Sequence, residues 1–129
     1  MNEELLKYLN DCDIKWDKSK SSRDIQYELE KKYAVFLDNY GGYCGVINNQ
    51  HYVNLYSASE IIDYNIGYNI QDFLPQYLLL GAVDDEALVT NGKEYYLAPF
   101  IGMDPNESIK IAEGFENLIE NLAYKEELY

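Results

Sequence analysis

"YAVFLDNYGGYCG", residues 33–45, decides how the chain is read. An apolar stripe of helical period runs into two adjacent glycines, and a Tyr-Cys-Gly stretch of strand character follows them. Gly41 or Gly42 is expected to take the left-handed conformation that closes a helix, which other residues adopt only at a cost. The second glycine then lets the chain reverse tightly into a strand. A phosphate-cradling role would need further glycines in register, a following helix and a lysine, and the sequence has none of these here.

Working upstream, Ser21 with Asp24 has the spacing of a capping box, and it predicts a helix running from there to Tyr40. Ile25, Leu29, Tyr33, Phe36, Leu37 and Tyr40 form its apolar stripe, and Glu28, Glu30, Lys31, Lys32 and Asp38 its wet face. Leu5, Leu9 and Cys12 predict a further short amphipathic helix over residues 3–12, with a polar loop around Trp16 between the two.

Downstream, "YCGVINNQHYVNLY" predicts two short strands around an Asn48-Asn49 turn. Ser57 and Glu60 form a second capping box that opens a helix with Ile61 and Ile62 inward, ending near Asn65 to Gly67. A buried strand is expected after Pro75. "ALVTNGKEYYL" predicts a hairpin with a two-residue type I′ turn at Asn91-Gly92. Asp104, Pro105 and Glu107 mark the start of a helical turn, and Phe115, Leu118, Ile119 and Leu122 share one face of a closing helix. Helices alternating with groups of strands in this order predict one α+β domain, an antiparallel or mixed sheet flanked by helices.

Composition narrows the function. The 129 residues are 47% hydrophobic, enough for a single core, and no apolar run is long enough to span a bilayer. The N-terminal stretch carries acids where a secretion signal would carry bases, so a cytoplasmic location is expected. The two cysteines, Cys12 and Cys44, read as free thiols. Twenty-three acids against ten bases leave a net charge of −13. Residues 1–64 hold 7 bases and 11 acids (−4) and residues 65–129 hold 3 and 12 (−9). That charge argues against nucleic acid and anionic membranes as partners and for a basic protein.

Catalysis finds no support. Asp84-Asp85-Glu86 lacks the alternating oxygen ligands and glycine of a calcium loop and reads as a solvated acidic turn. The single histidine, His51, has no partner cluster at metal spacing. Ser57, Ser59 and Cys44 are the nucleophiles that His51 would serve; Ser57 is spoken for by its cap, and no glycine-flanked elbow surrounds any serine. No catalytic, cofactor-binding or metal-binding residue is therefore expected, and no cofactor. Tyrosine is the unusual feature: fourteen residues supply rigid, amphipathic contact area of the kind interfaces favour. Tyr33 and Tyr40 are expected to pack the core, whereas Tyr43, Tyr64, Tyr68 and Tyr96 are open to either role.

The opening stretch also belongs to a longer pattern. "IQYELEKKYAVFLDNYGG" resembles the helix signature of the SMI1/KNR4 superfamily, also called SUKH, with Tyr33, Phe36, Leu37, Gly41 and Gly42 on its signature positions. "LYSASEIIDYN", "FLPQYLLLGAVDDEALV" and "IAEGFENLIENL", the last with Phe115, resemble the family's later motifs in the same order. The resemblance covers about residues 22–123. In two places the chain departs from the pattern: the Leu-Pro turn before the signature tyrosine is missing, which implies a shortened, fused helix, and Gly114 stands where Ser is common, which implies a weaker cap. The resemblance implies binding without catalysis. Similar bacterial proteins are mostly immunity proteins that neutralise toxins, many of them nucleases, and related fungal domains regulate cell-wall synthesis.

These readings converge on an immunity protein that blocks a basic toxin domain. A regulatory scaffold domain is the alternative, and a small hydrolase a distant third. The expected partner-binding residues are Asp84, Asp85, Glu86, Glu94 and Tyr96. With a two-residue turn, Thr90 pairs with Lys93, Val89 with Glu94 and Ala87 with Tyr96, so Leu88, Tyr95 and Leu97 face the core. Glu94 and Tyr96 then face outward, close to the turn at Asp84.

Overall fold

In a computed structural model, residues 16–128 are described; the helix expected over residues 3–12, with Cys12, lies outside them. Six strands form one antiparallel sheet in the order of the sequence: β1 Tyr43–Ile47, β2 His51–Leu55, β3 Leu78–Val83, β4 Glu86–Thr90, β5 Tyr95–Ala98 and β6 Ile109–Ala112. Among the described residues four α-helices accompany it: α1 Lys31–Tyr40, α2 Ala58–Gly67, α3 Ile70–Phe73 and α4 Phe115–Tyr124. The domain is thus α+β with an antiparallel sheet. Among the described residues no helix is long and apolar enough to cross a membrane.

The glycine junction behaves as its residues require. Gly41 closes α1 at φ +78, its N–H donating to the Leu37 carbonyl at 2.9 Å, and Gly42 follows at φ +139. A β-carbon on Gly41 would lie 2.0 Å from the Trp16 ring, and one on Gly42 2.5 Å from the Leu55 carbonyl oxygen. Both the backbone angles and the lack of space therefore select glycine.

Upstream of α1 the structure departs from the predicted long helix. The Ser21–Asp24 capping box is present, but it opens only a 3₁₀ turn over Ser22–Asp24, and Ile25 is already extended. Ser22 donates through its N–H and its hydroxyl to the Asp38 carboxylate, at 2.9 and 2.8 Å. In one continuous helix those residues would stand about 24 Å apart, so this pair of bonds requires the chain to fold back. Residues 25–30 form neither helix nor strand, with Ile25 and Leu29 packed on the core from outside a helix.

Tyr33, Phe36 and Leu37 are buried and define the aromatic centre of the core. The Tyr33 ring stacks on Tyr95 of β5 at 6.0 Å and meets Phe115 of α4 edge-on at 4.9 Å. Helices α1 and α4 therefore cover the sheet face that carries Tyr95 and Leu97. Strands β1 and β2 alternate strictly, with Cys44, Val46 and Tyr52 exposed on the opposite face. β3 and β4 are buried on both faces.

Helix α2 begins with the predicted Ser57–Glu60 capping box. Ile61 is buried, whereas Ile62 is only half-buried and lines a cleft against residues 24–27. Asn65 is the inward residue beside Ile61. Its amide donates to the Leu79 carbonyl and accepts from the Leu79 N–H, both at 2.9 Å, joining α2 to β3. The register of β3 against β4 shifts between Leu79 and Gly81, so the buried amide sits beside an irregular part of the ladder. β6 was not among the predicted strands, and half of its four residues are exposed.

Candidate functional site

The site residues expected from the sequence lie along the β3–β4–β5 meander, whose turns differ from those predicted. The type I′ geometry appears at Asp84-Asp85, with φ of +48 and +71, and joins Val83 to Glu86 as a two-residue hairpin. Aspartate tolerates the left-handed region better than most residues because its short polar side chain bonds locally. At Asn91-Gly92 only the glycine has positive φ. There the Asn91 carboxamide accepts from the N–H groups of Lys93 and Glu94, at 3.0 and 2.8 Å, and Thr90 donates its hydroxyl to the Glu94 carbonyl at 2.8 Å. This side-chain turn opens the loop to four residues.

The register consequently shifts by two, pairing Thr90 with Tyr95, Val89 with Tyr96 and Leu88 with Leu97. A shift of two preserves the alternation, so Tyr95 and Leu97 still face the core while Tyr96 remains on the other face. It changes the distances along the strand. Glu94 and Tyr96 lie toward the opposite end of β4 from Asp84, Asp85 and Glu86: Tyr96, opposite Val89, is about 10 Å along the strand from Glu86, and Glu94 about 16 Å. The five residues do not form the single patch that the predicted register implied.

Three of the five have identifiable duties in the fold. The Asp84 carboxylate meets the Nδ1 of buried His51 and accepts from the Tyr52 N–H at 3.0 Å, while the other ring nitrogen of His51 faces the Lys125 carbonyl. Asp84 thereby ties the start of β2 to the chain leaving α4. Glu94 accepts from Tyr96 at 3.2 Å and pairs with Lys110 at 3.3 Å, and these partners hold its carboxyl below the usual range, Lys110 foremost. Tyr96 rests edge-on against Tyr77, with ring centroids 5.3 Å apart.

Asp85 and Glu86 belong elsewhere. With Pro99, Phe100, Ile101, Glu107 and Ile109 they line an open hollow of about 500 Å³ at the end of the β4–β5 hairpin. The 3₁₀ turn Pro105–Glu107, capped by Asp104 as predicted, brings Glu107 to its rim. Ile101 is 93% exposed and Ile109 43%, so apolar surface stands open beside three carboxylates. Among the described residues, none lining the hollow is basic. Phe100, Ile101 and Glu107 were missed from the sequence because the hollow is assembled across non-local strand ends. The isolated apolar residues of "APFIGMDP" were the only local sign.

The nucleophile and metal constellations resolve geometrically. Strand alternation places Cys44 on the open face and His51 on the buried one. Ser57 Oγ accepts from the Glu60 N–H at 3.3 Å, within its cap. Both nitrogens of His51 are already engaged. Among the described residues no three His, Cys, Asp or Glu side chains converge at metal-binding geometry. Of the tyrosines that the sequence left open, Tyr43 is buried, Tyr96 is half-buried, and Tyr64 and Tyr68 are exposed. The chain matches no protein-family model and no curated protein.

Proposed function

We propose that this protein is an immunity protein of the SUKH type, which binds a basic toxin domain in the cytoplasm and occludes its active site or substrate groove. The observation that carries the reading is the hollow at Asp85, Glu86 and Glu107, where three carboxylates stand beside half-buried Phe100 and exposed Ile101 and Ile109, with no base in the lining among the described residues. A toxin that handles nucleic acid presents lysines and arginines where it holds phosphates. Carboxylates on a rigid hairpin and a 3₁₀ turn substitute for those phosphates, and the aromatic and aliphatic residues supply the desolvated contact area on which affinity depends. The net charge of −13 steers the encounter over a longer range. The motif resemblance through Tyr33, Phe36, Leu37, Gly41, Gly42 and Phe115 supports the same class, and in the structure those residues are scaffold.

The test is to search the neighbouring genes for a basic toxin domain and to reconstitute that domain with this protein. Stoichiometric addition of the protein is expected to abolish the toxin's activity. Replacing Asp85→Lys with Glu86→Lys is expected to slow association at least tenfold at low salt and to flatten its salt dependence, with the circular dichroism spectrum unchanged. Unchanged association by the folded variant would remove the hollow from the interface. Capture of a cell-wall regulator in place of a toxin would favour the scaffold alternative.

A further inference from the structure

The hollow is continuous, through Phe100, with a run of aromatic rings along α2. Tyr68 lies 5.9 Å from Phe100, Tyr64 6.0 Å from Tyr68, and Tyr56 4.6 Å from Tyr64, measured between ring centroids. Each ring is tilted from the next by 34–43°, so the four fan out like steps. Tyr64 and Tyr68 are one helical turn apart, which aligns them on one flank of α2. They are 39% and 46% exposed, an unusual amount of tyrosine surface for a helix that buries Ile61 and Asn65 on its inner side.

The charges carried by α2 itself are of one sign. Glu60 and Asp63 lie on the same helix, and no Lys or Arg occurs anywhere from Tyr33 to Gly92. Glu60, Tyr64 and Tyr68 succeed one another at four-residue spacing, which puts the carboxylate on the same flank of α2 as the two rings; burial raises the neighbouring Tyr56 hydroxyl to about 12. Aromatic faces and a carboxylate together favour a cation, and among side-chain cations guanidinium is favoured. It is planar, weakly hydrated, stacks on rings and pairs with a carboxylate through two N–H groups, whereas ammonium is a compact and strongly hydrated charge.

We propose that the run formed by Tyr56, Tyr64, Tyr68 and Phe100 is a seat for an arginine side chain of a basic protein partner, with the Glu60 carboxylate, one oxygen of which also accepts from the Ser57 N–H at 3.0 Å, as its counter-charge. The inference rests on the protein-binding reading above and extends that surface from the hollow onto α2. It separates the roles of the two regions: the hollow's carboxylates steer approach, and the aromatic run distinguishes arginine from lysine.

The experiment needs no toxin. The full chain, isotopically labelled, is titrated by NMR at low salt with a capped peptide alternating glycine and arginine, and separately with its glycine–lysine counterpart. The arginine peptide is expected to shift the signals of Tyr64, Tyr68 and Phe100 at saturable concentrations and to bind more tightly than the lysine peptide. Tyr64→Leu with Tyr68→Leu keeps apolar area and helix but removes the ring faces. It is expected to weaken the arginine peptide about two- to fivefold per ring and to change the lysine peptide much less. Should the double variant fail to fold, Tyr68→Leu alone, at the helix end, provides the same comparison. Shifts confined to the hollow, equal binding of both peptides, or equal loss of both in the variant would overturn the arginine seat. Inhibition of the neighbouring toxin would survive that outcome, so failure of the seat and failure of the immunity reading are distinguishable.

Discussion

Replacing Glu30 with alanine should destabilise this domain by about 2–3 kcal/mol, although Glu30 lies on no helix or strand. The reason is its reach. Gly114 occupies the cap position of α4 and has no side chain to offer the first N–H groups of that helix. The Glu30 carboxylate takes the role instead, accepting from the Phe115 N–H at 2.9 Å and, through the same oxygen, from the Tyr95 hydroxyl at 2.9 Å. Losing a cap costs about 1 kcal/mol. A buried Tyr95 hydroxyl without its partner costs about 1–2 kcal/mol more. Thermal unfolding followed by circular dichroism should show a drop of roughly 8–12 °C for a chain of this size. Glu30→Gln keeps an acceptor without the charge and should lose less than half of that. Because both bonds share one oxygen, Tyr95→Phe and Glu30→Ala should be non-additive by about 1 kcal/mol in a double-mutant cycle. Additive effects, or an alanine variant within about 0.5 kcal/mol of the wild type, would refute the account.

Gly41→Val should cost several kcal/mol, about 3 or more, since a positive φ and the Trp16 ring both oppose any β-carbon; denaturant unfolding measures it. Tyr33→Phe should be neutral or stabilising by about 1 kcal/mol, because the buried Tyr33 hydroxyl has no hydrogen-bond partner among the described residues. A loss of more than 1 kcal/mol in the same assay would mean that the hydroxyl is satisfied. Asp84→Ala should destabilise by about 2 kcal/mol and expose the chain after α4 to limited proteolysis, because it removes the acceptor shared by His51 and the Tyr52 N–H.

Where a few neighbouring residues set the geometry, the sequence could be read directly. The glycine junction, the Ser57–Glu60 box, the Asn48-Asn49 turn and the apolar face of α4 each rest on contacts within about four residues, and each stands in the structure as its local chemistry requires. Alternation along β5 was equally legible, since a shift of two residues leaves it intact. Errors arose where a competing group, distant or within the turn itself, overrode the expected local geometry. Asp38 draws Ser22 back and breaks the predicted long helix, and the Asn91 side chain replaces a type I′ turn with a wider loop. Glu30 caps a helix that begins 85 residues later, which no local pattern announces.

The candidate surface divides in the same way. The acidic, tyrosine-rich character could be read from composition alone, since charge and aromatic content do not depend on which residues become neighbours. Which carboxylates act together was decided only when the strands paired. Pairing turned Asp84 toward His51, gave Glu94 to Lys110, and left Asp85 and Glu86 beside Phe100, Ile101 and Glu107. Residues far apart in the chain meet through the register and through the loops that cross the sheet's end, and neither is encoded in any window short enough to read by eye.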